Sequence, residues 1–287
     1  MMDPQRTPAR RLWEAVEPLH AVVYFAPEPA EAAKALGLPS WWMGYFTGRV
    51  APLGPLDAPP VTAMLFGFAP SMVARSLPDA WAYASPDAVL AARLDAVRAT
   101  LERALPPGSE GRLERLAELL ERAVAGCHYD GRPLAAGWSG VRRPASAAGR
   151  VWLAATVLRE HRGDGHVLAA VGAGLRGLDA TLTLVANGGI PQETFQANRG
   201  WTEAEWEESR HRLVARGLLD RTSRPTRAGE ELRRQLEDAT DRLAADPLAA
   251  LGESGVEEVI GLAVPLSRHL VDTGVLPVPN PIGVPRP

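Results

Sequence analysis

Residues 159–166 of this 287-residue chain read Arg-Glu-His-Arg-Gly-Asp-Gly-His, its densest run of ionisable side chains and glycine. Histidine changes charge near neutrality and can act as acid, base or ligand. Arginine pairs with carboxylate or phosphate through a planar fork. His166, His161 and His20 are therefore the candidate catalytic residues, with Arg159, Arg162 and Asp164 as candidate ligand contacts. The same string also reads as helix punctuation. Arg159, His161 and Arg162 suit a last helical turn, Gly163 a left-handed cap, and Asp164 the N-cap of a following helix. His166 fits that account less well, because it opens a uniformly apolar stretch.

A second group surrounds His20. With Pro18 as a first helical residue, His20 and Tyr24 stand four apart and share a face. Tyr45 and Arg49 share a face in the same way, offering a phenol and a fixed cation. If these aromatic helices pack over the 159–166 corner, all these side chains converge on one aromatic-walled, arginine-bearing cavity, the usual make-up of a small-molecule site. Haem or a metal through His20, His161 or His166 is conceivable. No spacing demands either, since helical metal pairs stand three or four apart. A lone histidine on an apolar face is more often a hydrogen-bonded core residue than a ligand.

The remaining candidates are weaker. His128 lies in a turn, His211 among arginines, and Cys127 beside His128 lacks the geometry of a nucleophile pair. Gly172, Gly174 and Gly177 match a dinucleotide fingerprint by letters only, with no strand before them, and are read as close helix packing.

Helical periodicity dominates the elements that must hold these residues. Apolar stripes run through 88–105 and 112–124, and 126–144 reads as a Gly/Pro-rich loop. Helices are predicted over 146–161 and 165–186, so the 159–166 string turns a corner between them. In the first 80 residues the prolines permit only short helices, over 19–25, 30–36 and 41–50, and 276–287 is an extended tail. The predicted organisation is a proline- and aromatic-rich cap (1–84), a helical core (85–189), a further element (190–246), and a C-terminal helix with its tail (247–287). Together they form one integrated, mainly α-helical bundle.

Composition narrows the function classes. The formal net charge is −3, which offers no global attraction to nucleic acid or anionic lipid. One cysteine, Cys127, fits a reducing compartment, and no apolar segment has the length of a membrane span or leader. A cytoplasmic protein is expected. Of 31 basic residues only Lys34 is lysine, a bias read as genomic before functional.

Residues 190–243 run helix, turn, helix, two short strands and helix. Thr202 and Glu205 form a capping-box pattern, and strands are expected around 218–221 and 225–227. This order resembles the winged helix of MarR-type bacterial regulators, most specifically over 216–229. The resemblance implies a second helix entering the major groove and a wing bearing Arg221, Arg224 and Arg227. Charge opposes it, because Glu203, Glu205, Glu207 and Glu208 occupy the half of that helix that would meet DNA. The 159–166 string, with Glu-Pro-Leu-His-Ala-Val-Val-Tyr-Phe and Arg-Gly-Trp, also resembles an actinobacterial helix-turn-helix-like family of about this length, with no assigned function.

The function expected is a small-molecule-binding protein or enzyme. Its pocket lies between the N-terminal cap and the 159–166 corner, and its ligand contacts include Tyr24, Tyr45 and Arg49. The alternative is a winged-helix regulator, which would act as a dimer because such modules read two half-sites. The predicted helix over 254–271 leaves a homodimer open.

Overall fold

Ser146 accepts a hydrogen bond from the Gly149 amide and starts a helix that runs unbroken to Gly172. Around it the computed structural model describes residues 6–188 and 191–287. Gly189 and Ile190, where the winged-helix resemblance begins, and the first five residues lie outside them. In chain order the helices are α1 (Pro8–Phe25), α2 (Pro27–Ala35), α3 (Trp41–Val50), α4 (Ala58–Met64), α5 (Pro70–Ala74), α6 (Pro86–Ala104), α7 (Glu110–Ala125) and α8 (Pro133–Ser139). They continue with α9 (Ala147–Gly172), α10 (Gly177–Ala186), α11 (Gln192–Arg199), α12 (Glu203–Ala215), α13 (Arg227–Leu243) and α14 (Asp246–Asp272). Gly252 breaks α14 with non-helical φ/ψ of 67° and 169°.

The bundle is mainly helical, as predicted, and α9 is its axle: α1, α6, α7, α8 and α13 all pack on it. The larger hydrophobic core joins α1, α3 to α9 and α14 around Trp138, Trp152 and Phe46. A smaller cluster built on Leu178, Phe195, Trp206 and Leu213 holds α10 to α13.

Several local expectations change. The 159–166 string is no corner, because α9 passes straight through it and the chain turns later, bending by 95° between α9 and α10. Gly163 and Gly165 are ordinary helical residues rather than caps. Gly165 is glycine because a Cβ there would lie 2.8 Å from Arg132 Nη1 and 3.2 Å from Leu243 Cβ. Close helix packing, not punctuation, explains it. Asp164 caps a different helix from the one expected: it accepts a 3.0 Å hydrogen bond from the Ala135 amide in the first turn of α8. Pro18 sits inside α1 rather than opening a helix. Its missing N–H costs about 3 kcal/mol, offset by packing of α1 along α9 and α14. The 126–144 loop contains α8, which buries Leu134 and Trp138.

The predicted hairpin is reduced to an isolated antiparallel bridge, Leu219 to Pro225. Asp220 replaces strand pairing with side-chain bonds from the Thr222 and Arg224 amides, folding 220–224 into a tight turn. The capping box at Thr202 and Glu205 is present as predicted, and Gly200 turns α11 into α12 at φ 75°. Among the described residues no single helix is long and apolar enough to cross a membrane.

Candidate functional site

Because α9 is continuous, Arg159, Arg162, Gly163, His166 and Val167 repeat at three- and four-residue intervals along one face. That face lines a cleft of about 380 Å³. Its other walls are Glu17 of α1, Tyr45 and Arg49 of α3, the 64–68 segment, α10, Phe195 and Arg199 of α11, and Arg233 with Glu237 of α13. The cleft therefore lies between the larger core and the α11–α13 segment. A second cavity of about 360 Å³ shares Tyr45, Arg199 and Ile282 with it and adds Tyr24, Phe25, Trp41 and Trp42.

A buried ion-pair cluster forms the cleft floor. Arg49 donates to Glu160 at 2.8 and 2.6 Å through Nη2, and Arg159 Nη1 reaches the same carboxylate at 3.0 Å. Glu17 faces Arg159 at 3.5 Å. Burial pushes the Glu17 carboxyl up to about 7, with Arg159 opposing the shift. The Tyr45 phenol shows the sign of the potential. Burial would raise its pKa, yet Arg49, Arg199 and Arg159 together hold it below the usual phenol value. Arg10, Arg49, Arg159, Arg162, Arg199 and Arg233 face only Glu17, Glu160 and Glu237 across this space. Arg162 is balanced by Asp241 at 2.6 Å, and Arg10 and Arg233 are paired with Glu237. Arg199 instead lies over the Phe68 ring, 4.3 Å from its centroid, with no carboxylate partner among the described residues.

The structure brings Tyr45, Arg49, Arg159, Arg162 and His166 to this cleft, but the three histidines do not meet. Five positions along a helix turn a side chain by about 140°, so His161 and His166 face different ways. His161 lies 3.4 Å from Asp246, whereas His166 contacts Thr240 at 3.0 Å. His20 is held in the core by Thr156 at 2.9 Å and Tyr24 at 3.2 Å, and stacks on Trp152. Tyr24 reaches the second cavity, while Asp164 serves α8. Among the described residues no group of three or more His, Cys, Asp or Glu side chains is arranged to hold a metal. Glu17, Glu160 and Arg199 were missed as site residues. The lone signal for Arg199 was its place beside a helix-breaking glycine.

These buried groups make a pH prediction. Burial lowers His161 and His166 to about 4, while it raises Glu17 to about 7 and Asp164 to about 6. The unfolded chain then carries protons on both histidines, and the folded chain on both carboxyls. Over roughly pH 4.5–6 the two effects cancel. His166→Gln removes proton uptake from the unfolded state alone, so its stability should rise on acidification by about 1.4 kcal/mol per pH unit relative to the parent. Glu17→Gln should slope the opposite way. Denaturant midpoints across this window check both signs, and parallel profiles for the two variants would refute the assignment.

The described residues thus form a mainly helical body in which Gly200 turns α11 into α12 beside an arginine-lined cleft. The chain belongs to a helix-turn-helix family, whose model matches residues 9–277. No curated protein and no solved structure matches it.

Proposed function

We propose that the protein binds an anionic small molecule in the cleft, with its charged group on Arg199 and Arg159 and its apolar part against Tyr45, Phe66 and Phe68. The carrying observation is the surplus of guanidinium over carboxylate in a roomy, aromatic-walled space, with Arg199 free of any acidic partner among the described residues. Such a space supplies what a ligand carboxylate or phosphate needs: a preformed positive potential and donors in a planar fork. His166, held neutral by burial at pH 7, adds a polar contact on the same wall.

A second reading, DNA contact, is favoured by exposed Arg221, Arg224 and Arg227, none in an ion pair among the described residues, and by the family's helix-turn-helix character. Within α12 the arginines are engaged internally: Arg210 with Glu207, and Arg212 with buried Asp179 at 2.9 Å. Arg216, just beyond it, donates to the Gly174 and Ala173 carbonyls. Glu207 and Glu208 take up Arg210 and Arg212, while Glu203 and Glu205 in the first turn of α12 have no arginine partner among the described residues, and a phosphate backbone repels them.

Calorimetric titration with benzoate and phenyl phosphate tests the first reading. Saturable binding is expected, weakened at least about tenfold in Arg199→Ala, as loss of a charged hydrogen bond requires. No binding, or binding indifferent to Arg199→Ala, would refute it. Gel shifts at low and high salt provide the other arm. Sequence-specific retardation lost in an Arg221/Arg224/Arg227→Ala triple variant would put the DNA reading first.

A further inference from the structure

Arg93 of α6 is 9% exposed, its Nε has no hydrogen-bond partner, and its guanidinium forms no ion pair with any described residue. The buried carboxylate of Glu160 is occupied, giving its oxygens to Arg49 and Arg159. Arg93 stacks between two rings, 5.7 Å from the centroids of Tyr24 and of Trp152. Cation–π contact returns only part of what a guanidinium loses when it leaves water. A buried cation left in this state is chemically incomplete.

Arg93 lines a cavity of about 210 Å³ that shares no charged residue with the cleft and has Tyr45 in common with it. Its lining includes Lys34, Ser40 and Trp41 besides Arg93 and Tyr24. Lys34, the chain's sole lysine, is exposed on α2 at the cavity's edge. Among the described residues no acidic side chain lines this space. It thus combines a buried unpaired cation, a second cation, a hydroxyl, and apolar walls from Ala30, Ala33 and Leu38.

We propose that this cavity is an anion-binding site for a small carboxylate- or phosphate-bearing molecule, with Arg93 as its counterion inside and Lys34 at the entrance. The oxyanion completes the guanidinium's hydrogen bonds, and the aromatic sandwich fixes the fork that receives it. Ordinary surface attraction predicts no such dependence on one buried residue.

Thermal unfolding and tryptophan fluorescence of the whole chain test this, with sodium phosphate and sodium acetate compared against sodium chloride at matched ionic strength. Wild type should gain roughly 5 °C in Tm near 100-fold Kd, with saturable fluorescence change from Trp41, and the stronger anion identifies the ligand's charged group. In the Arg199→Ala background, where the cleft's free guanidinium is gone, Arg93→Met should abolish the response while matching or exceeding the Arg199→Ala Tm in chloride, because an unpaired buried charge is replaced by an apolar side chain. Lys34→Gln, an exposed change that leaves the core alone, should weaken the response about twofold to fivefold. Arg199→Ala should retain it, which separates this site from the cleft. No anion response in wild type, or one in the double variant equal to that of Arg199→Ala, would overturn the proposal. If the double variant does not fold, an undiminished response in Lys34→Gln overturns it.

Discussion

Glu160→Gln is expected to remove about 3–5 kcal/mol of unfolding free energy, because it breaks a buried ion pair from one side. The Glu160 side chain is 1% exposed and receives Arg49 from Nε at 3.2 Å as well as from Nη2. Burial alone would raise its pKa, but Arg49 and Arg159 hold the carboxyl below its ordinary value. That carboxylate is therefore ionised at neutral pH, and its contribution is lost as acid protonates it. Glutamine keeps the shape and one acceptor oxygen but strands two guanidinium groups, of which Arg159 keeps only Glu17. Arg49→Met should cost a similar amount, and the double variant less than the sum, since each single change already sacrifices the same pair. Guanidinium-chloride denaturation of the three proteins measures this. A loss below about 1 kcal/mol in both single variants would show the pair to be solvated as a surface pair is.

Gly177→Ala is expected to be the most damaging glycine change, costing about 1–3 kcal/mol or more by overpacking. An added Cβ would overlap the Phe66 carbonyl oxygen and lie 2.8 Å from its carbon, and backbone has no rotamer in which to retreat. Either α10 or the 64–68 segment must then shift, and both wall the cleft. Affinity for benzoate should fall together with stability. Gly172→Ala is the matched control: a Cβ there meets nothing within 4 Å, and the residue is helical. It should be neutral, or stabilising by about 0.4–1 kcal/mol through the unfolded chain. Equal melting curves for the two variants would show that α10 yields without cost.

The amphipathic helices were legible because their stripes bury one face: 88–105 and 112–124 became α6 and α7 with shifts of one or two residues at their ends. Capping chemistry was equally readable at Thr202. Glycine was misread inside α9, where tertiary closeness, invisible along the chain, sets residue 165. Pro18 failed as punctuation for a related reason, since packing on α9 and α14 outweighs its local preference. At the site, the chain order gave Tyr45, Arg49, Arg159, Arg162 and His166 but no hint of which neighbours would be carboxylates. Arg93 was not singled out in the sequence. Its spacing did carry a signal, since it stands four residues from Val89 and from Val97 on the buried face of α6, where it packs against Tyr24 and Trp152. The wing failed where Asp220 offers its own side chain to the backbone, competing with strand pairing.

The single lysine has a practical consequence. Apart from the α-amino group, Lys34 is the one primary amine among 287 residues, and it stands at the edge of the Arg93 cavity. Acylating reagents that scatter over most protein surfaces are thus confined to a single side chain. A fluorophore attached there is a built-in reporter of what enters and leaves that space, and its labelling rate reads occupancy without altering any other residue.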